Sequence, residues 1–107
     1  MLSDEAVAAA AGRVVAAASS PSKVVLFGSY ARGTADDGSD LDLLVIERDV
    51  PDHAGEYLRL RMAVGSVGTG VDVLIYTEQE ATRRARVPGT VLYWAMKEGK
   101  VLHDALA

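Results

Sequence analysis

The sequence contains no cysteine. That excludes a disulfide framework and any cysteine-ligated zinc or iron–sulfur centre, and the usage fits a cytoplasmic protein. Positive charge is in short supply: 11 Lys and Arg stand against 15 Asp and Glu, for a formal charge of −4. Domains that live on duplex phosphate are usually basic, so direct nucleic-acid binding is not expected. Long apolar runs are missing too. A membrane-spanning helix needs about 18 or more apolar residues, and the longest candidate, Leu2 to Ala18, is interrupted by Asp4, Glu5 and Arg13. A secretory leader would open on basic residues, whereas here the acids come first. The two histidines, His53 and His103, read as surface residues rather than metal ligands.

Half of the 107 residues are hydrophobic. That is enough for a compact core, and the length suits a single domain over residues 1–107. Chains this short bury only about two-thirds of their unfolded surface, so a partner or a second copy (a homo-oligomer) would add useful burial.

Helix and strand signals alternate along the chain. Ser3 followed by Asp4 and Glu5 predicts a capped helix to about Ala18, stopped at Ser19-Ser20-Pro21. Lys23 to Phe27 reads as a buried strand. Gly28 to Ser39 reads as a polar loop with one helical turn near Tyr30 to Arg32, and Ser39 and Thr34 as local turn-formers. Leu41 to Ile46 is a second strand, apolar on both faces beyond Asp42. A helix from Pro51-Asp52 to about Val64 is expected to bury Ala54, Leu58 and Met62, widened by Tyr57 and Val64. Val71 to Tyr76 is a third strand. Thr77 with Glu80 forms a capping-box pattern for a helix through about Arg84, leaving Arg83, Arg84 and Arg86 as a solvated basic face. Pro88 is expected to begin a last helix that packs Tyr93 and Trp94 into the core and ends with Gly99 at its C′ position. Val101-Leu102 is expected to add an edge strand. The order argues for an α/β (α+β) domain.

The chemistry concentrates between Gly28 and Asp72. Gly28 ends a strand and, lacking a Cβ, permits an unusual φ and a close backbone approach. A helix starting at Ser29 would point N–H groups back toward the strand end, where phosphate binds well. Arg32, on the same turn, can reach a phosphate or the nearby carboxylates. Asp40 and Asp42 are two apart in a strand, so they leave the same face with Cα atoms about 7 Å apart. Such a pair can converge on one divalent ion, or share two ions roughly 4 Å apart. Without a cation, two like charges held this close are costly. Oxygen ligands favour Mg²⁺ or Mn²⁺ over zinc. Asp72 is the lone acid in an apolar strand and can complete a three-carboxylate site. These residues meet only if the first strand runs antiparallel to the next two, which then run parallel through a helical crossover.

Gly28-Ser29, ten residues, then Asp40-x-Asp42 resembles the signature of the DNA polymerase beta-like nucleotidyltransferase superfamily. The wider string from Phe27 to Thr34, with Ser39 to Val45 and the tail from Pro88 to Leu102, resembles the minimal nucleotidyltransferases, the MNT or MntA-type antitoxins. The resemblance covers most of residues 22 to 103. It implies a nucleotidyltransferase fold, Gly28 and Ser29 on the triphosphate of ATP, and Mg²⁺ on Asp40 and Asp42 with Asp72 completing the catalytic site. It implies a HEPN-type toxin as partner, neutralised by transfer of AMP to a toxin tyrosine. Other expectations are a non-catalytic antitoxin that acts by complexation and an enzyme modifying an aminoglycoside-like small molecule. One departure is clear: the last strand of the family often reads Leu-Tyr, where this chain has Leu102-His103.

Overall fold

The computed structural model describes all residues from Met1 to Ala107. The elements are α1 (Asp4–Ala17), β1 (Ser22–Phe27), α2 (Ser29–Arg32), β2 (Leu41–Glu47), α3 (His53–Val64), β3 (Val71–Thr77), α4 (Glu78–Arg84), α5 (Val91–Glu98) and β4 (Lys100–Asp104). Local chemistry sets most of the boundaries. The Ser3 hydroxyl accepts from the Ala6 N–H at 3.1 Å and caps α1. Asp52 caps α3 by accepting from the Gly55 N–H, and Thr77 and Glu80 close a reciprocal capping box on α4.

The four strands form one sheet in the order β3-β2-β1-β4. β1 is antiparallel to β2, and β2 is parallel to β3, which is the mixed arrangement the spacing predicts. β4 pairs antiparallel with the outer side of β1. Side chains alternate between faces along each strand. Leu41, Leu43, Val45, Val73 and Ile75 pack on one face with residues of α1 and α3. Val25, Leu44 and Ile46 pack on the other against Ala81 of α4 and Leu92 and Ala95 of α5. Both faces of the central strands are thus covered, as near-continuous apolar strands require. Asp42 and Asp72, each two residues before a side chain of the α4/α5 face, open toward that side at the sheet end.

The expected apolar face of α3 is not the one that packs. Leu58 is 60% exposed and Met62 79% exposed, while Glu56, Leu60 and Val64 are buried. These three lie at i, i+4 and i+8, so the helical period is right but the stripe is rotated. A glutamate at its first position hides the buried stripe from any reading that seeks apolar residues. Leu60→Ala should therefore cost about 2–5 kcal/mol, whereas Leu58→Ala should stay within about 0.5 kcal/mol. Urea unfolding of the two variants checks this.

The last helix also differs from expectation. It begins at Val91 rather than Pro88, because the Thr90 hydroxyl accepts from the Tyr93 N–H at 3.2 Å and caps it. Gly99 ends it with φ −75°, not in the left-handed region. A Cβ at Gly99 would instead collide with the Ala95 carbonyl and the Val25 side chain, so close packing of α5 on β1 requires glycine there. Trp94 is 48% exposed rather than in the core, and Tyr93 is half-buried.

Candidate active site

Three chain segments meet at one end of the sheet. β1 runs into the Gly28 turn, and antiparallel pairing sets Phe27 opposite Asp42. Parallel pairing sets Asp42 opposite Asp72. The starts of β2 and β3 are tied together by the Leu41 N–H donating to the Gly70 carbonyl at 2.8 Å and the Thr69 hydroxyl donating to the Ser39 carbonyl at 2.6 Å. Asp40 precedes β2 by one residue and shares the face of Asp42.

Two glycines make room for the carboxylates. Gly28 has φ 75° and ψ −156°, a region open essentially only to glycine. A Cβ at Gly28 would also occupy the space of the Asp42 carboxylate. On the other side, a Cβ at Gly70 would occupy the space of the Asp40 carboxylate. The two acids are thus seated against backbone from opposite sides of the site.

The turn after Gly28 is a single helical turn. The Ala31 and Arg32 N–H groups both donate to the Gly28 carbonyl at 3.1 Å. The Ser29 and Tyr30 N–H groups are left without an intrahelical partner, as at any helix start. Arg32 projects from this turn, 3.8 Å from Glu98 of α5, with both side chains about half exposed.

Electrostatics reflect the crowding. The Asp42 carboxyl is pushed up to about 6, first by burial, then by the charge of Asp72 and a hydrogen bond between the two carboxyl groups, and by Asp40. Arg32 opposes the shift. Asp36 and Asp37, close in sequence, are used elsewhere. Asp36 and Ser39 build a local turn, and Asp37 pairs with the amino terminus at 2.7 Å.

The donor set suits a hard divalent cation. No three carboxylate or imidazole groups converge tightly enough to cage an ion alone. Mg²⁺ does not ask for that, since it usually keeps several waters and takes one or two carboxylates plus substrate phosphate oxygens. The in-register pair Asp42 and Asp72, with the Asp42 carboxylate seated against Gly28, fits this pattern.

The family model described as "Nucleotidyltransferase domain" matches residues 13–86, a span that holds every one of these site residues. The chain belongs to the nucleotidyltransferase domain family. Short stretches are also similar to two Methanocaldococcus jannaschii proteins named as candidate protein adenylyltransferases. One match is 64% identical over 28 residues and the other 52% identical over 29 residues, 26% and 27% of this chain. The matched stretches span only 19% and 29% of the length of those relatives. The nucleotidyltransferase fold is similar to a chain of a toxin–antitoxin complex crystallised with AMP-PNP, with TM-score 0.67, 22% identity and 92% of this chain and 74% of that one covered. It is also similar to a Sulfolobus solfataricus protein described as a candidate nucleotidyltransferase, with TM-score 0.55, 25% identity and 92% and 86% covered.

The glycines give a prediction of their own. Gly28→Ala should cost about 1–3 kcal/mol through its backbone conformation and should also displace Asp42, losing both stability and nucleotide binding. Gly70 is under no such backbone demand, and its neighbour is the mobile end of a side chain. Gly70→Ala should leave the melting temperature within a few degrees while redirecting Asp40 and weakening Mg-ATP binding. Paired melts and calorimetry separate the two effects.

Proposed function

We propose that the domain is a Mg²⁺-dependent nucleotidyltransferase that moves AMP from ATP onto a hydroxyl of a partner protein, the partner being a HEPN-type toxin and the acceptor a tyrosine. The observation that carries this reading is the in-register pair Asp42 and Asp72, with the Asp42 carboxylate seated against Gly28. Membership of the nucleotidyltransferase family supports the reaction class. The adenylyltransferase names of the two partial relatives and the toxin–antitoxin complex with AMP-PNP support the protein acceptor and the nucleotide.

In this reading Asp40, Asp42 and Asp72 hold the Mg²⁺ that accompanies the triphosphate, and Asp72 also faces the acceptor. Bound there, Mg²⁺ supplies charge neutralisation of the triphosphate and lowers the pKa of the attacking hydroxyl. Ser29 and the N–H groups of its turn receive phosphate oxygens, and Arg32 balances their negative charge. The acceptor oxygen bonds to the α-phosphorus, the bond to the β-phosphate oxygen breaks, and pyrophosphate leaves. Asp72, the more exposed of the pair, accepts the hydroxyl proton. Positioning and electrostatics do most of the work in such transfers.

Incubation with a HEPN-type toxin, Mg²⁺ and ATP tests the proposal. A mass gain of one AMP on a toxin tyrosine, with release of pyrophosphate, is expected. Inhibition of the toxin with no such adduct would instead indicate action by complexation alone, and the transferase reading would be lost.

A further inference from the structure

The last helix presents an apolar stripe that the core does not use. Val91, Trp94, Ala95 and Glu98 stand at i, i+3, i+4 and i+7, the spacing that normally faces inward. Ala95 is buried, but Val91 is 55% exposed and Trp94 48% exposed. The stripe turns toward the Gly28 turn instead. Between them lies an open cleft of about 260 Å³ lined by Phe27, Gly28, Arg32, Val91, Trp94 and Glu98 among others. The cleft is therefore continuous with the turn assigned to phosphate. Its walls are aromatic and aliphatic, and a charged Arg32–Glu98 pair stands on its rim.

The indole is also held in place. The Tyr93 ring meets it edge-to-face, with centroids 5.3 Å apart and planes at 87°. The Lys97 ammonium sits 5.7 Å from the Trp94 ring centre and 5.6 Å from that of Tyr93. Tyr93 and Lys97 lie on the flank of α5 away from the 91-94-98 stripe, so they steady the ring without filling the cleft. An exposed aromatic fixed beside a phosphate turn meets the requirement for stacking a base, because every base offers a π-face.

We propose that Trp94 is the platform on which the nucleobase of the bound nucleotide stacks, with Phe27 and Val91 completing the apolar wall. This rests on the reading that the triphosphate lies at Gly28-Ser29. A protein surface docking on Trp94 is the competing outcome, and continuity of the cleft with the motif favours the base.

The chain has one tryptophan, so its fluorescence reports this site alone. Mg-ATP should quench Trp94 emission, and magnesium tripolyphosphate, which carries no base, should bind without quenching. By calorimetry, Trp94→Ala should weaken Mg-ATP about tenfold while leaving tripolyphosphate within about twofold, and Trp94→Phe should recover most of the loss. Equal losses for both ligands, or ATP binding with no quench, would overturn the platform and leave the nucleotide site standing. Failure of the wild-type chain to bind either ligand would overturn both.

Discussion

Replacing Asp42 by Asn should cut nucleotidyl transfer by roughly a hundredfold to a thousandfold or more, the range seen when one preorganised electrostatic group is removed. The same change should leave the domain at least as stable at pH 8. The two effects have one cause. Asp42 is partly buried beside Asp72 and Asp40, and its carboxyl is held at about 6 rather than in the ordinary carboxylate range. At pH 8 it is ionised against two like charges, a cost that a bound cation would relieve. Asparagine removes one of those charges and keeps the shape. A raised folded pKa means that the Asp42 contribution to stability is full below about pH 4 and lost as pH rises through about 6. The variant should show less of that loss. Thermal melts of the cation-free proteins across pH 4 to 8, beside transfer rates, check both halves. A variant that is inactive because it is unfolded would contradict the explanation.

The second large effect lies at the opposite end of β2. Glu47 and Glu56 are both buried, at 0% and 3% exposure. Glu56 accepts from the Ser19 N–H and the Ser19 hydroxyl at 2.9 Å each, and it pairs with Arg59. One Glu47 oxygen accepts from Ser20, and the other has no donor. A proton on that second oxygen, donated to Glu56, satisfies the pair. Burial and the neighbouring Glu56 charge accordingly raise Glu47 to about 7. For Glu56 burial pulls upward, but its donors win and lower it.

Glu56→Ala should therefore destabilise by about 3–5 kcal/mol, the cost of removing one partner from a buried ionic cluster. It strips Ser19 and Arg59 of their acceptor and joins a cavity to an unpaired Glu47. The pH dependence has a defined sign. Glu47 binds its proton more tightly when folded, so its contribution is full below about pH 4.5 and lost as pH rises through about 7. The Glu56 contribution is present above about pH 4.5 and lost as pH falls through its lowered value. Stability should thus be greatest near pH 4.5 and decline toward pH 8. Glu47→Gln, whose amide can donate to Glu56 without titrating, should remove most of that decline. Denaturant titrations at pH 5.5 and 8 would expose a wrong sign at once.

The strands, the crossover and the meeting of Gly28 with Asp42 and Asp72 were legible because they follow from local pattern and one topological demand. Capping residues announced themselves at Ser3 and Thr77, and Pro51-Asp52 marked the start of α3. The buried face of α3 was not legible, because the charge of the buried Glu56 is stabilised by donors from Ser19, Arg59 and Glu47, contacts that exist only after folding. Nothing in the local sequence sets Gly70 apart from Gly65 and Gly68. Its fit against Asp40 depends on the pairing of β2 with β3. Trp94 read as core because its stripe has core spacing. Only the placement of α5 beside the Gly28 turn leaves that stripe open.

Nucleotide held through a cation by these carboxylates would be detectable with no acceptor present. Calorimetric titration of the wild-type chain with ATP, in Mg²⁺ and then in excess chelator, reads it directly. Binding of one ATP that requires Mg²⁺ and disappears in Asp42→Asn is the predicted result. ATP bound equally well in chelator, or equally well by Asp42→Asn, would contradict the account.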